Sequence, residues 1–173
     1  MQINAKLSKD KRIEIAAEEI FSKYGYEKAT LDQIISLADV GKGTVYKYFG
    51  NKEQLFYKLV SAKNEPFVEA LRVAVESESE LKDKLTAYFK VMVEFYQKNC
   101  ALWQIIYYEM LNDTHCTVVF DDEDNAQVIS RYSEDTVSDE VKERFLRYHN
   151  LLTSEFEILY KIVVDGMKEG TLK

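Results

Sequence analysis

The sequence has few of the residues that staple small proteins or interrupt helices. Its 173 residues include two cysteines, one proline and six glycines. Cys100 and Cys116 form no CxxC pair, so a disulfide framework is not expected and a reducing cytosol fits best. Scarce proline and glycine, with a hydrophobic fraction of 46%, favour a globular and strongly helical chain that buries its own core.

Long apolar runs are also lacking. No stretch approaches the roughly 20 apolar residues that a membrane-spanning helix needs. The first residues, MQINAKLSKDKR, lack the apolar segment of a signal peptide. We therefore expect a cytoplasmic protein that does not bind a membrane.

The sequence contains no motif for catalysis, nucleotide binding or metal binding. GxSxG, a Walker loop, HExxH and GxGxxG do not occur in it. His115 and Cys116 are adjacent, and adjacent ligands rarely close a tetrahedral zinc site. His149 has Glu143 and Glu155 nearby in the sequence, but a surface or bundle position is the simpler interpretation. No enzymatic activity, cofactor or metal is predicted.

Positive charge is in short supply, and it is unevenly distributed. The net charge of the chain is −7. Residues 1–58 hold ten Lys/Arg and eight Asp/Glu, a net charge of +2. Residues 59–173 hold thirteen and twenty-two, a net charge of −9. A mildly basic first part on an acidic second part suits a chain that binds a polyanion through one end.

The most informative pattern is the stretch 30–56, which predicts two short helices around a tight turn. Thr30 and Gln33 have the capping-box spacing that opens a helix. The triplet DVG at 39–41 interrupts the pattern, because Asp and Gly tolerate the left-handed backbone of a helix end. A second helix from Lys42 keeps its apolar residues inward and leaves polar, basic and aromatic residues outside. This arrangement is typical of a DNA-binding helix-turn-helix.

Apolar residues at helical spacing predict further helices on both sides of this stretch. The first spans about 8–24 and ends at Gly25. A fourth helix begins after Asn51 and should kink or stop near Asn64, because Pro66 removes one helical hydrogen bond. We expect this helix to carry a signal between the two ends of the chain.

The rest of the chain also predicts helices. One ends at 99–100, and the following segment, 102–111, is apolar nearly all round and should lie buried within a bundle. Residues 118–120 form either the end of a helix or a short extended piece. Ser138 caps a long last helix that Gly170 closes.

The first 60 residues closely resemble the tetracycline-repressor (TetR) family of bacterial transcription regulators. The run GTVYKYFGNKEQLF is the most specific part of this resemblance. Asp39 stands where the family commonly has Gly, and Gly41 where it commonly has Ser or Thr. The matching residues outside that run are Ile15, Ala16, Phe21, Gly25, Ala29, Thr30, Ile34, Ala38 and Val40.

The resemblance implies an all-α fold with two domains. Residues 1–58 would form a three-helix helix-turn-helix domain, linked by helix 4 to a helical ligand-binding and dimerisation domain at 59–173. Family members usually continue past the motif at 166–172 into two more helices that form most of the dimer interface. Either this chain is a shortened form or dimerisation uses other surfaces, and a homodimer is expected of the full-length protein.

The resemblance also implies a set of DNA contacts. Lys42 suits guanine O6 and N7, and the methyl group of Thr44 suits a thymine methyl. Taken alone, each residue has a plainer role: helix cap, packing, or solvated surface. The predicted DNA-binding residues are Thr30, Lys42, Gly43, Thr44, Tyr46, Lys47, Tyr48 and Lys52.

The second part is rich in aromatic residues, and the resemblance implies a small-molecule pocket among them. Such sites are mostly apolar clefts with a few polar groups, often between helices of a bundle. For any single ring, ordinary core packing is the commoner role. The predicted ligand-binding residues are Phe89, Trp103, Tyr107 and Tyr148.

The function predicted is a ligand-responsive DNA-binding transcriptional regulator. It would be a repressor, released from a pseudo-palindromic DNA operator by a small-molecule effector. The alternative is a helical module that binds small molecules or proteins and carries a degenerate DNA-binding end. An enzyme with an unrecognised site in the bundle has little support.

Overall fold

The computed structural model describes residues 3–111, 116–120, 126–130 and 137–172. The chain divides into two compact units, residues 1–63, here called the head, and residues 64–173, here called the body. The elements in order are α1 (Lys9–Lys28), α2 (Leu31–Ala38), α3 (Lys42–Phe49), α4 (Lys52–Glu76), α5 (Leu81–Ile105), a π-helical segment (Ile106–Leu111), β1 (Cys116–Phe120), β2 (Ala126–Ser130) and α6 (Asp139–Lys168).

The predicted helical fold is confirmed, with one small sheet added. Strands β1 and β2 pair antiparallel, with Val118 opposite Val128. Val128 is buried and packs with Phe145 of α6. The structure therefore supports the extended alternative at 118–120. Across the described helices, none has both the length and the apolar character of a membrane span.

An aromatic cluster lies at the centre of the head. Phe21 of α1 and Phe56 of α4 are both fully buried and meet edge to face, with ring centroids 5.0 Å apart. Tyr26 completes the cluster, with its ring centroid 5.4 Å from that of Phe56. Gly25 breaks the regular helix of α1 with a φ of 75°, as the sequence predicts. This cluster joins the first helix to the fourth.

The turn between α2 and α3 forms as the sequence predicts. The Thr30 hydroxyl accepts a hydrogen bond from the Gln33 backbone N–H at 3.2 Å, and the Gln33 side chain accepts one from the Thr30 N–H at 2.8 Å. Asp39 adopts the left-handed conformation with a φ of 51°. The capping box and this residue together fix where α2 begins and ends.

Two predicted helix ends are wrong. Helix α4 does not stop near Asn64 but continues through Pro66 to Glu76, and the alternative of a kink there stays a prediction. The Asn64 amide donates to the Leu151 carbonyl at 3.1 Å, a contact within the body that the local sequence does not reveal. Helix α5 likewise continues through 99–100 to Ile105. At Pro66, tertiary packing outweighs the local breaker.

The body has a core between α4, α5 and α6. Buried Phe67, Leu71, Tyr88 and Ile162 pack together there. The prediction that 102–111 is buried holds only in part, because the side chain of Tyr108 is 70% exposed. The last helix matches its prediction, with the Ser138 hydroxyl accepting from the Val141 N–H at 3.4 Å.

Candidate nucleic-acid interface and effector groove

Helix α3 has one buried side and one exposed side. Val45 and Phe49 point into the head and are 1% and 5% exposed. The outer residues are polar, basic or aromatic, and two of them are large rings, Tyr46 and Tyr48, that are 47% and 45% exposed. Six of the eight predicted DNA-binding residues lie on this helix, namely Lys42, Gly43, Thr44, Tyr46, Lys47 and Tyr48. Their contacts with DNA stay predictions.

Lys42 is paired with an acidic residue of α2. Its ammonium donates to the Asp32 carboxylate at 3.2 Å, and both side chains are largely exposed. This hydrogen bond raises the pKa of Lys42, so the group stays charged. An exposed pair of this kind is screened by water and readily exchanges one anion for another. The pairing therefore leaves Lys42 available to a nucleic acid.

Lys52 has a structural role that the sequence did not reveal. Its ammonium donates to the backbone carbonyls of Tyr26 at 2.9 Å and Ala29 at 3.3 Å. It also lies over the Tyr26 ring, 4.3 Å from the centroid. These contacts hold the start of α4 against the segment that connects α1 and α2. A phosphate contact by Lys52 stays a prediction beside this observed role.

Lys58 makes a second contact between helices that was not predicted from the sequence. Its ammonium donates to the Tyr48 carbonyl at 2.8 Å, at the C-terminal end of α3. It also lies 5.2 Å from the centroid of the Phe49 ring. A cation at that end complements the helix dipole and satisfies one of its open carbonyls. In sequence, Lys58 has nothing that distinguishes it from a solvated lysine.

The body contains an aromatic groove of about 580 Å³. The residues that line it are Tyr96, Cys100, Trp103, Gln104, Tyr107 and Tyr108. Two of the four predicted ligand-binding residues, Trp103 and Tyr107, lie together in this lining. The other two lie elsewhere: Tyr148 is fully buried, and Phe89 is half exposed and edge-on to Tyr88 at 5.3 Å.

A buried carboxyl group lies behind the aromatic groove. Glu155 of α6 has no exposed surface. Its Oε1 atom accepts a hydrogen bond from the Tyr96 hydroxyl at 2.7 Å, and its backbone carbonyl accepts one from Tyr88 at 3.1 Å. Burial raises the pKa of Glu155, although the bond from Tyr96 opposes this change. Burial also raises the pKa of Tyr88 to about 12.

The role of Glu155 was missed, although the sequence holds one signal for it. Glu155 follows Tyr148 by seven residues and Leu152 by three, so it lies on the apolar stripe of α6. An acidic residue on such a stripe is expected to have a buried partner. Its partner Tyr96, 59 residues earlier in the chain, is visible only in the tertiary structure.

The described residues contain no group of three His, Cys, Asp or Glu side chains that could hold a metal ion. His149 stacks on Phe145 with ring centroids 5.9 Å apart, and burial lowers the pKa of its imidazole. His115 lies outside the described residues. His149 is therefore a packed ring of the bundle.

Comparison with known proteins agrees with the geometry of the head. Residues 15–59 match the family model for bacterial regulatory proteins of the tetR family. An uncharacterized HTH-type transcriptional regulator of Bacillus subtilis, YhgD, is 27% identical over 168 residues, which are 96% of this chain and 73% of that protein. Residues 15–59 therefore form a DNA-binding region of the tetR-family type, and the whole chain is similar to regulators of that type. This confirms the predicted family and a DNA-binding regulator that is not an enzyme.

Two solved structures share the fold of this chain. A tetR-family regulatory protein from Rhodococcus RHA1 superposes with a TM-score of 0.69 at 21% identity, over 95% of this chain and 73% of that one. The regulator FadR from Bacillus subtilis, solved in complex with stearoyl-CoA, gives 0.65 at 21% identity, over 94% and 73%. The chain thus spans about three quarters of each of these proteins.

Proposed function

We propose that this chain is a transcriptional repressor and that two copies of it bind DNA together as a homodimer. Helix α3 of each copy would enter the major groove of a pseudo-palindromic operator. A small molecule bound in the aromatic groove would lower the affinity for that operator. The observation that carries the DNA-binding half is the outer side of α3, with its exposed rings, lysines and glycine.

The size of α3 supports this proposal. Eight residues make a helix about 12 Å long, which fits a major groove of about 12 Å width. Lys42 and Thr44, at its N-terminal end, would contact base edges, where helix-turn-helix proteins place such contacts. Lys47, Tyr48 and Thr30 would contact phosphates and set the orientation of the head.

Gly43 supports the same proposal by a different argument. Glycine inside a helix costs roughly 0.5 to 1 kcal/mol relative to alanine. A Cβ atom at Gly43 would meet nothing within 4 Å in the described part of the chain, apart from its two neighbours and the backbone of its own helix. Packing within the head therefore does not require a glycine here. Close approach of the helix backbone to a partner does require one, and DNA is the partner of this helix in the proposal.

Contacts within the body supply a physical basis for the effector half. Trp103, in the wall of the aromatic groove, meets Phe95 edge to face with centroids 4.6 Å apart. Phe95 stacks on Phe67 of α4 at 3.8 Å. A ligand that moves Trp103 would therefore act on α4, which also carries Lys52 and Lys58. The effector can shift the equilibrium only through its different affinity for the two states.

A homodimer is part of the proposal, because a pseudo-palindromic operator needs two heads. Two-fold symmetric proteins match half-sites that lie about one helical turn apart. Sedimentation of the free protein at micromolar concentration and of its DNA complex measures the number of copies. Two copies on the operator are expected, and a single copy there would contradict this part.

The DNA-binding half is tested by selecting duplexes from a random pool and measuring affinity by fluorescence anisotropy. The selected duplexes should share a pseudo-palindrome, and log K should fall linearly with log salt concentration. Lys47→Ala should weaken binding to all duplexes and reduce the salt slope by about 1. Thr44→Ala should relax the preference at one base position by about 1–3 kcal/mol.

Lys98→Ala is the matched control, since it removes an exposed lysine from the body. Its affinity and salt slope should equal those of the wild type. If no sequence is enriched, and Tyr46→Ala and Lys47→Ala bind as the wild type does, the repressor proposal is wrong. That result would favour a ligand-binding module with a degenerate head.

A further inference from the structure

We propose that the aromatic groove binds an organic cation, whose charge is balanced by the carboxylate of Glu155 behind the groove wall. The inference deepens the effector half of the proposed function, since it names the chemical class of the molecule that would act there. Binding itself involves only the body, so it can be measured without DNA.

Among the described residues, no charged side chain lines the aromatic groove. The six described residues of the lining are three tyrosines, one tryptophan, one cysteine and one glutamine. A carboxylate or phosphate placed among them would lose water without gaining a cationic partner, which is costly. Residues 59–173 also carry a net charge of −9, which repels anions. Neutral and cationic molecules are therefore favoured over anionic ones.

Glu155 adds a reason to prefer a cation over a neutral molecule. The carboxyl group is fully buried, and within the described part of the chain its Oε2 atom has no hydrogen-bond partner. A buried carboxylate with one oxygen unpaired is costly to ionise, which agrees with its raised pKa. A cation nearby would lower that cost, so the bound ligand and the ionised carboxylate would stabilise each other.

A hydrogen bond connects the aromatic groove to this carboxyl group. Tyr96 lines the groove, and its hydroxyl donates to the Glu155 Oε1 atom at 2.7 Å. Tyr107 lines the same groove and is 39% exposed. The negative charge of Glu155 thus lies one tyrosine away from the groove.

The rings supply the second half of a cation site. Tyr96 and Trp103 meet at 77° with centroids 6.4 Å apart, and Tyr107 and Tyr108 line the same groove. Aromatic faces attract cations, tryptophan most strongly, and several such faces around one space favour quaternary ammonium groups. The groove combines these faces with a buried acid, and both attract a quaternary ammonium group.

The test uses the fluorescence of Trp103, the single tryptophan of the chain. The full chain is titrated at constant chloride with benzyltrimethylammonium, with its neutral isostere neopentylbenzene, and with the anion 3-phenylpropionate. The ammonium should change the fluorescence saturably and bind at least about tenfold more tightly than the isostere. The anion should bind more weakly than either. Equal affinity for the ammonium and the isostere, or tighter binding of the anion, would overturn the proposal.

Glu155→Gln tests which group supplies the negative charge. The amide keeps an oxygen that can accept from Tyr96 but removes the charge, so the preference for the ammonium should fall below about threefold. Glu157→Gln is the matched control, because it removes an exposed carboxylate two residues away on the same helix. It should keep the full preference. An equal loss in both variants would assign the effect to general surface charge and refute the role of Glu155.

The comparison of the ammonium, its isostere and the anion on the wild type tests the cation preference even if Glu155→Gln does not fold. Circular dichroism of each variant shows whether it is folded, and only folded variants are titrated. Because no DNA is present, a failure here leaves the DNA-binding proposal intact. Conversely, a chain that selects no DNA sequence can still show the preference for the ammonium.

Discussion

The head and the body differ in how far the charged groups of Lys52, Lys58 and Glu155 are exposed to solvent. In the head, the ammonium groups of Lys52 and Lys58 donate to backbone carbonyls, and part of each side chain meets solvent. In the body, the carboxyl group of Glu155 is completely buried and bonded to Tyr96. The two lysines of the head connect helices by hydrogen bonds, whereas the carboxyl group of Glu155 in the body is shielded from water. Only the second kind is strongly affected by what enters a nearby groove.

The two units also differ in how their helices are stabilised. Helices α2 and α3 have eight residues each, too few to be stable alone in water. Caps and lysine contacts from α4 compensate for this, and they leave the outer side of α3 free. Helices α5 and α6 have 25 and 30 residues and rely on long apolar stripes. Substitutions of the capping and lysine residues around α2 and α3 should therefore act through hydrogen bonds, whereas substitutions on the stripes of α5 and α6 should act through packing.

The largest effect is expected from Phe67→Ala in the body. Removing a buried ring that stacks on Phe95 at 3.8 Å should lower the free energy of unfolding by about 3–5 kcal/mol. Urea denaturation followed by circular dichroism measures the change. Val73→Ala, on the same helix with its side chain 57% exposed, should change it by less than about 0.5 kcal/mol. Similar losses in both variants would contradict the assignment of Phe67 to the core.

Lys52→Met in the head should have an intermediate effect. Loss of hydrogen bonds from a charged group to the Tyr26 and Ala29 carbonyls should cost about 1.5–3 kcal/mol of folding free energy. The same urea experiment applies, with the exposed Lys47→Met as control. Unchanged stability combined with a uniform loss of DNA affinity would mean that Lys52 acts as a phosphate contact instead.

Gly43→Ala separates the stability of the head from its function. Alanine has open space at this position and a better helix propensity, so folding should become more favourable by about 0.5–1 kcal/mol. DNA affinity should nevertheless fall, because the added methyl group would keep the α3 backbone from the bases. Anisotropy and urea denaturation are compared for the same sample. A gain in both quantities would remove Gly43 from the DNA interface.

The smallest effect concerns pH. Burial raises the pKa of Glu155 above its ordinary value of 4.5, so the folded chain holds this proton more tightly than the unfolded chain. The stability that follows is complete below pH 4.5 and is lost as the pH rises through the folded-state pKa. The free energy of unfolding of the wild type should therefore decline with pH relative to that of Glu155→Gln. Parallel pH profiles would show that burial does not perturb this carboxyl group.

Local signals were sufficient to predict most of the head. Thr30 and Gln33 are three residues apart and bond to each other, so their capping box is contained in the sequence. Gly25 and Asp39 are likewise identified by their own backbone preferences. The hydrogen bond from Lys58 to the Tyr48 carbonyl was not predictable, because it depends on the packing of α3 against α4.

Signals in the body are mostly long-range, which is why prediction failed there more often. Pro66 was expected to kink or stop α4, and the stop is not found: contacts such as that of Asn64 with Leu151, 87 residues away, accompany a continuous helix. Trp103 and Tyr107 were predicted from composition and family resemblance. Tyr96 and Glu155 were not, because only the packing of α5 against α6 brings them together.

The most direct test of the account is the affinity of the full chain for its selected duplex, measured with and without saturating benzyltrimethylammonium. The account predicts that the ammonium lowers DNA affinity at constant ionic strength, and that DNA lowers the affinity for the ammonium by the same factor. The neutral isostere should have little effect at the same concentration. If the ammonium occupies the groove, as Trp103 fluorescence reports, and DNA affinity does not change, the body does not control the head and the account is wrong.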